Sequence, residues 1–163
     1  MNIYISLQII YSVIFIEIMK ALIQRVKQAS VTIDDSLYSS INSGLLVFLG
    51  VEKGDEKLNA EALAKKLVNL RIFEDENEKM NKSLLDVNGE MLIVSQFTLC
   101  GDCKKGTRPS FDKSAPMDIA ESLYEYFIEC VKSNNIRVST GKFRAMMDVS
   151  LINDGPVTFL VEK

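Results

Sequence analysis

The sequence has no histidine among its 163 residues. Without an imidazole, the Ser-His-Asp and Cys-His arrangements of nucleophilic catalysis are excluded. Zinc sites that use histidine ligands are excluded for the same reason. Any catalysis must therefore depend on hydroxyls, carboxylates, lysine, backbone dipoles or groups that the substrate itself brings.

Cysteine is scarce, and the chain carries no excess of positive charge. The three cysteines, Cys100, Cys103 and Cys130, are too few and odd in number for a secreted disulfide framework, so we expect a reducing, cytoplasmic location. The net charge of −3 and the pI of about 5.1 predict no broad cationic surface. A protein that coats long nucleic acid, DNA included, is therefore not expected, whereas a small basic patch that grips one end of an RNA fits this balance.

Residues 1–18 form a strongly apolar segment with one acidic residue, Glu17, and no lysine or arginine. The segment lacks the positive start and the cleavage site of a signal peptide. It is also shorter than the roughly 20 apolar residues of a transmembrane helix. Its β-branched residues would suit an extra strand, but we favour a dispensable extension or a misassigned start, with translation beginning at Met19. Residues 19–163 are then expected to form one domain without membrane association.

Apolar runs of strand type cluster along the sequence, with two segments of helical spacing inserted between them. This order is typical of an α+β fold built on a largely antiparallel sheet with two main helices, rather than of a repeating βαβ array. The strands are predicted at residues 21–32, 37–41, 45–51, 71–73, 84–87, 91–99, 136–139, 147–152 and 157–161.

Local sequence signals predict the start of the first helix, the extent of the second helix and one hairpin turn. Asp55 is the expected N-cap of the first helix. The second helix is expected from about residue 117 to 133, with Ile119, Leu123 and Phe127 on its inner face. The dipeptide Asn88-Gly89 predicts a two-residue hairpin between the strands at 84–87 and 91–99.

The segment Ser95-Gln96-Phe97-Thr98-Leu99 ends an apolar predicted strand and precedes a loop that contains glycine. In a strand, Ser95, Phe97 and Leu99 would face one way, and Gln96 and Thr98 the other. Polar residues in such a place often border a pocket. Serine and threonine are also tolerated in ordinary strands, and the pattern alone favours that simpler interpretation.

A second polar segment, NDGPVT at residues 153–158, lies between two predicted strands. Gly155 has no side chain, so a ligand can approach its backbone closely. Pro156 gives the preceding peptide bond access to the cis form. A plain turn is the simpler interpretation of the same residues.

The loop after the first polar segment carries a short basic run, Lys104, Lys105 and Arg108, which could contact phosphates or could be a solvated surface loop. The same loop holds a C-x-x-C pair, Cys100 and Cys103, but no second pair or histidine completes a zinc site. A redox motif of this kind should open a helix, whereas lysine, glycine, arginine and proline follow here. We therefore expect neither metal nor redox use of these thiols.

Taken together, these segments resemble the D-aminoacyl-tRNA deacylase family, also called D-tyrosyl-tRNA deacylases. The resemblance covers essentially all of residues 19–163. The Ser-Gln-Phe-Thr and Gly-Pro-Val-Thr segments are the family's two signatures, and their correct order and distance make the signal very specific. The other matching segments are IQRV at 23–26, GLLV at 44–47, LRIF at 70–73, KMN at 79–81, RPSF at 108–111, TGKF at 140–143 and VSLIND at 149–154.

The resemblance implies hydrolysis of the ester bond of D-aminoacyl-tRNA to free D-amino acid and tRNA, as chiral proofreading in translation quality control. It implies no cofactor and no metal, and a barrel-like deacylase fold that forms a homodimer. A cis Gly155–Pro156 bond is implied as well, in a loop that reaches into the partner's site. The chain departs from the family wording at residues 100–103, and at Arg144, where the family usually has a small residue and where the shape of the amino-acid site is affected.

By the same resemblance, the expected catalytic residues are Ser95, Gln96, Phe97 and Thr98. The backbone N–H groups of Phe97 and Thr98 are candidate donors to the carbonyl oxygen. The Thr98 hydroxyl is a candidate nucleophile, but nothing nearby in the sequence supplies a base. Substrate assistance, in which the neighbouring ribose hydroxyl orients or activates water, is the better hypothesis.

Gly155 and Pro156 are the expected means of chiral selection, because their carbonyls could bind the substrate's amino group and leave no room for an L side chain. Glycine escapes such exclusion, so glycyl-tRNA, mischarged on tRNA-Ala, is a predicted second substrate. Arg25 is expected to brace this loop. Phe143 and Met147 are candidate pocket walls or, equally, ordinary core.

Two other classes of function stay open at this point: a non-catalytic module of the same fold that binds RNA ends, and a small thiol redox protein. Release of D-tyrosine from D-tyrosyl-tRNA, with the L-ester spared, separates the first from a deacylase. Activity that survives Cys103→Ser argues against the second.

Overall fold

The structure, a computed structural model, describes residues 19–163. The expectation for residues 1–18 lies outside the described residues. Eight strands and two α-helices follow one another along the described part of the chain. The strands are β1 (Lys20–Ile33), β2 (Ser36–Ile41), β3 (Gly44–Gly50), β4 (Phe73–Glu74), β5 (Met80–Lys82), β6 (Glu90–Ser95), β7 (Arg137–Thr140) and β8 (Asp148–Glu162), and the helices are α1 (Lys57–Asn69) and α2 (Met117–Lys132).

Strand β1 organises the sheet because other strands cover both of its edges. On one edge, its first half pairs antiparallel with β3 and its second half with β2. On the other edge, β8 runs antiparallel along nearly the full length of β1. Within the described residues β8 pairs with β1 alone, so the outer edge of this long strand has no partner.

The sheet continues from β3 with two parallel pairs, β3 with β6 and β6 with β7. Parallel neighbours need a crossover connection, and α1 and α2 provide the two crossovers. The far strands of the sheet approach each other: Ser39 Oγ of β2 donates to the Thr140 carbonyl (2.7 Å), and Ser139 Oγ of β7 donates to the Ser40 carbonyl (3.0 Å). The sheet is therefore nearly barrel-shaped, and the predicted α+β class with two main helices is confirmed.

The two helices pack together on one face of the sheet. They share one apolar core with alternate residues of β1, β3 and β6, and a smaller apolar cluster covers the opposite face. Strands β3 and β6 are thus buried on both faces, which explains their continuous apolar runs. The buried helix residues are Ala60, Leu63, Ala64, Leu67 and Val68 in α1, and Leu123, Tyr124, Phe127, Ile128 and Val131 in α2.

Two details of the helices differ from the predictions. The predicted N-cap of α1 is wrong, because the cap is Glu56, which forms a capping box with Asn59, while the Asp55 carboxylate accepts the Glu52 N–H at 2.7 Å. In α2, Ile119 is 45% exposed instead of facing inward. No helix within residues 19–163 is long and apolar enough to span a membrane.

The predicted hairpin at Asn88-Gly89 is wrong. Residues 84–87 form turns, not a strand, and the Gly89 N–H donates to the Leu84 carbonyl at 3.0 Å. The Ser83 hydroxyl and N–H both donate to the Asp86 carboxylate, which stabilises this compact turn. Because the buried Leu84 side chain anchors the turn in the core, the chain enters β6 beside β3 in parallel instead of folding back as a hairpin.

Candidate active site

A cavity of about 580 Å³ opens where β3 and β6 end side by side. The parallel register pairs Leu49 with Ser95, so both strands deliver their last residues to this place. The start of α2 and residues 143–147 form the other walls. Most lining side chains are apolar, with Ser95, Gln96 and Ser114 as the uncharged polar ones. An apolar cavity with a few convergent polar groups is the expected form of a small-molecule site.

The chain leaves the sheet directly after Ser95. The Gln96 N–H donates to the Leu49 carbonyl (2.7 Å), and Phe97–Cys100 then form one turn of 3-10 helix. The alternation of faces predicted for residues 95–99 is therefore wrong beyond Ser95. The first N–H groups of a helix have no partner within it, and among residues 19–163 no backbone carbonyl accepts those of Phe97 and Thr98. Two adjacent donors are thus available beside the cavity.

The Thr98 hydroxyl has no base beside it in the described part of the chain. Its partner is the Gln96 side-chain amide, whose nitrogen donates to Thr98 Oγ1, and an amide does not take up a proton at neutral pH. The cavity lining formed by the described residues includes no carboxylate and no lysine. Ser114 Oγ is itself a donor, to the Phe97 carbonyl at 3.5 Å.

The basic loop lies next to this segment. Phe97 is 58% exposed, and its ring packs at a tilt of 57° against that of Phe111, with centroids 5.1 Å apart. Backbone hydrogen bonds between Asp102 and Ser110 close the base of the loop between them. The loop carries three exposed cations, Lys104, Lys105 and Arg108, none of which lines the cavity. Their contact with RNA phosphates stays a prediction.

Residues 141–147 continue from β7 beside the end of β6, and residues 143–147 form a wall of the cavity. The Gly141 N–H donates to the Ile93 carbonyl (2.9 Å), and the Lys142 N–H points to Met147 Sδ (3.3 Å), which fixes the segment against the sheet. Phe143 packs on the Tyr124 ring, with centroids 5.7 Å apart. Phe143 and Met147 both line the cavity and are half-buried. Their contact with substrate stays a prediction.

The Gly155–Pro156 segment bulges out of β8. Gln24 of β1 pairs with Thr158 and Val26 pairs with Asn153, so that the four residues 154–157 lie opposite a single residue of β1. The Gly155–Pro156 peptide bond is cis. Neither residue lines the cavity of its own chain.

Asn153 closes the base of this bulge. Its side-chain nitrogen donates to the Arg25 carbonyl (3.0 Å) and to the Val157 carbonyl (3.1 Å). A Cβ added to Gly155 would lie 2.0 Å from Asn153 Oδ1 and 2.6 Å from the Val157 nitrogen. Only glycine therefore fits at position 155 without a shift of the backbone.

Arg25 holds the same bulge from β1, with a side chain that is almost fully buried. Its Nε donates to the Asp154 carbonyl (2.9 Å), and Nη1 donates to the Ile72 carbonyl (2.7 Å). The Asp154 and Glu74 carboxylates lie 3.2 and 3.4 Å from the guanidinium. These contacts fit a bracing role, and contact between Arg25 and substrate stays a prediction because Arg25 does not line the cavity.

Arg25→Ala is expected to lower the free energy of unfolding by roughly 3 kcal/mol, because it leaves the buried Ile72 carbonyl and the part-buried Asp154 carbonyl without their donor. Urea denaturation measures the change. Arg137→Ala is the matched control: its exposed guanidinium pairs with Glu90, and such a pair contributes about 1 kcal/mol or less. Equal losses of unfolding free energy in the two variants would contradict the bracing role of Arg25.

The C-x-x-C pair has the properties of ordinary thiols. Cys100 is buried, its S–H donates to the Val51 carbonyl (3.4 Å), and burial raises the pKa of its thiol to about 11. Cys103 is exposed, and all three cysteines are free. A redox pair requires a thiol with a lowered pKa that forms the thiolate readily. The raised pKa of Cys100 therefore disfavours the redox interpretation.

Sequence reasoning did not single out Ser114 as a lining residue, and it gave Asn153 no role. The cavity position of Ser114 depends on how α2 follows the loop, for which the sequence carries no signal. For Asn153 the sequence did carry a signal, because asparagine side chains commonly form hydrogen bonds with nearby backbone groups at turns.

Several known proteins are similar to this chain. The family model described as D-Tyr-tRNA(Tyr) deacylase matches residues 22–162. A D-aminoacyl-tRNA deacylase of Thermosipho africanus is 59% identical over 144 residues, which cover 88% of this chain and 97% of the relative. A D-aminoacyl-tRNA deacylase of Geotalea daltonii is also 59% identical over 144 residues, covering 88% of this chain and 96% of the relative.

Solved structures show the same fold. The c-Myc DNA Unwinding Element Binding Protein is 41% identical, with a TM-score of 0.83 and coverage of 88% of this chain and 98% of that one. A probable eukaryotic D-amino acid tRNA deacylase is 17% identical, with a TM-score of 0.78 and coverage of 90% and 100%. At that identity the second likeness concerns the fold alone.

Proposed function

This chain belongs to the D-Tyr-tRNA(Tyr) deacylase family, and from that premise we propose that it hydrolyses the ester bond of D-aminoacyl-tRNA to release D-amino acid and free tRNA. The observation that carries the proposal is the pair of N–H groups at Phe97 and Thr98 without a carbonyl acceptor in the described chain, beside a cavity whose described lining has no carboxylate, lysine or histidine. Ester hydrolysis builds negative charge on the carbonyl oxygen, and preorganised backbone donors stabilise that charge.

In the proposed mechanism the ester carbonyl lies against residues 96–98, with its oxygen toward the two N–H groups. The ribose hydroxyl next to the ester orients a water molecule, which attacks the carbonyl carbon. The bond between that carbon and the ribose oxygen then breaks, and the proton lost by water passes to the leaving oxygen. The absence of a base among the described lining residues supports this route over attack by Thr98.

Thr98→Ala is expected to change kcat by less than about tenfold, because the backbone N–H stays and the hydroxyl is not the attacking group. Single-turnover hydrolysis of D-tyrosyl-tRNA measures this. Thr98→Ser, which retains the hydroxyl, is the matched control. A loss of more than about 10³-fold in the alanine variant alone would assign the nucleophile to Thr98.

We infer that Gly155 and Pro156 select the D-ester in the active site of a second copy of the chain. Their bulge lies outside the cavity of its own chain, and Asn153 and Arg25 hold it in a fixed shape. Main-chain carbonyls in such a bulge would bind the α-amino group and exclude an L side chain. Glycyl-tRNA, including glycine mischarged on tRNA-Ala, would escape exclusion, so the activity would serve proofreading in translation.

The surface of β8 supports the homodimer that this arrangement needs. The strand has 15 residues and an unpaired outer edge within the described chain, and Ile152, Phe159 and Leu160 are each 41–57% exposed. A long, apolar, unpaired edge strand is normally covered. Light scattering is expected to give twice the 18.3 kDa mass of the chain. We also infer a cytoplasmic location, since aminoacyl-tRNA is used there and the three thiols are free.

The proposed function is tested by matched D- and L-tyrosyl-tRNA and by glycyl-tRNA, with a chelator present and no added metal. We expect hydrolysis of the D-ester and the glycyl ester, with the L-ester at the rate of buffer alone. Equal hydrolysis of both enantiomers, or hydrolysis of neither, would overturn the proposal. Binding of the RNA end without any hydrolysis would favour the non-catalytic alternative.

A further inference from the structure

Arg144 is the one charged side chain among the described residues that line the candidate cavity. The residue is exposed, and it follows Phe143 in the wall formed by residues 143–147. Charge at the cavity therefore depends on this residue.

The backbone of Arg144 is in the left-handed region, with φ of 64°. Glycine adopts this region without strain, and asparagine and aspartate do so through local hydrogen bonds. Five other non-glycine residues within residues 19–163 have a positive φ: Asp34, Asp35, Glu78, Asn88 and Asn135. All of them except Glu78 are aspartate or asparagine. Arginine has neither the freedom of glycine nor the local hydrogen bonds of asparagine and aspartate. Backbone strain of this kind is most common at active sites and ligand-binding sites.

The Arg144 guanidinium has no ion pair or hydrogen bond within the described part of the chain. In contrast, Arg25 and Arg137 both pair with carboxylates. The Arg144 guanidinium is thus available to an anion that enters the cavity.

We propose, on the basis of the proposed function, that Arg144 binds an anionic oxygen pair of the substrate. Two parts of an aminoacyl-tRNA carry this chemistry near the ester: the phosphodiester of the terminal nucleotide, and the side-chain carboxylate of an acidic D-aminoacyl group. The guanidinium fork matches either group through two parallel hydrogen bonds. Arg144 is in both cases a specificity-determining residue.

The test compares Arg144→Asn, which suits the left-handed backbone but is uncharged, with the unchanged protein. Four esters are used: D-aspartyl-tRNA, D-tyrosyl-tRNA, and the D-aspartyl and D-tyrosyl esters of adenosine, which have no phosphate. If Arg144 binds the side-chain carboxylate of the substrate, kcat/KM should fall by about tenfold or more for the two aspartyl esters and stay unchanged for the two tyrosyl esters. If Arg144 binds the phosphodiester, kcat/KM should fall by the same factor for the two tRNA esters and stay unchanged for the two adenosine esters. The slope of log KM against log salt concentration for the tRNA esters should then fall by about 0.7–0.9.

Lys142→Ala is the matched control, because it removes an exposed cation of the same segment that does not line the cavity; we expect no change. Arg144→Lys retains the positive charge, so its kcat/KM for the affected esters should lie between that of the unchanged protein and that of Arg144→Asn. Unchanged kcat/KM for all four esters overturns the proposal. So does an equal loss for all four, or a changed mass in light scattering, because either assigns Arg144 a structural role.

Binding separates this proposal from the proposed function. Dissociation constants are measured for non-hydrolysable D-aspartyl and D-tyrosyl 3′-amides of an acceptor-stem RNA and of adenosine. If the protein hydrolyses no ester, yet Arg144→Asn weakens binding in one of the two patterns above, the proposed function fails and the anion site stands. Equal binding by both proteins overturns the anion site, whether or not the esters are hydrolysed.

Discussion

Replacing Phe97 by proline is expected to lower kcat for D-tyrosyl-tRNA by about 10²–10³-fold, the usual effect of removing one donor to a developing oxyanion. Proline has no N–H, and its fixed φ suits the first position of a helix, which is where Phe97 lies in the 3-10 turn. The preceding Gln96 has φ −141 and ψ 80, outside the α region that a following proline disfavours. The substitution should therefore remove the donor while the turn is kept.

Phe97→Ala is the control for the lost ring, since it removes the contact with Phe111 but retains the N–H. We expect its kcat to exceed that of Phe97→Pro by at least about tenfold. The two variants should have similar circular dichroism spectra and similar unfolding midpoints. If they lose activity equally, the ring matters and the backbone donor does not.

Gly155→Ala is expected to lower kcat/KM for the D-ester by about 10²-fold or more, the typical cost of a 1 Å misplacement at a reacting centre. The added Cβ would lie 2.0 Å from Asn153 Oδ1, so the bulge that Asn153 and Arg25 hold must change shape. Hydrolysis of D- and L-tyrosyl-tRNA is measured in parallel, because a displaced bulge should also admit some L-ester.

Gly106→Ala is the matched control, since an added Cβ at Gly106 has no neighbour within 4 Å. Its positive φ makes alanine cost about 1–2 kcal/mol of local strain in an exposed loop, with little effect on kcat. Full activity and unchanged selectivity in Gly155→Ala would remove Gly155 from the site.

The sequence was sufficient for those parts of the fold in which local pattern and tertiary environment agree. Strands β1 and β3 and both helices are where their apolar periodicity predicts. The pattern failed at Asn88-Gly89, where a buried Leu84 and the contacts between Ser83 and Asp86 overrode a strong hairpin signal. It also failed after Ser95, because an alternating sequence does not show that its last strand-like residues turn into a helix.

For the candidate site, the sequence and its family resemblance selected two candidate segments, but not how they lie in space. The parallel pairing of Leu49 with Ser95 creates the cavity, and long-range pairing leaves no local signal. The bulge at residues 154–157 depends on hydrogen bonds from Arg25 and Asn153, residues 128 positions apart. Only the family resemblance placed Arg144 near the amino-acid site, because the residues around it carry no local signal of a cavity wall.

The described residues that line the cavity include no histidine, carboxylate, lysine or cysteine. Acidification of the surroundings by a unit or two would leave the charge of those walls unaltered. Whatever sensitivity to acidity the reaction has would then come from the ammonium group of the aminoacyl ester and from solvent. Hydrolysis carried out in this way would depend less on acidity than hydrolysis by a histidine-dependent enzyme.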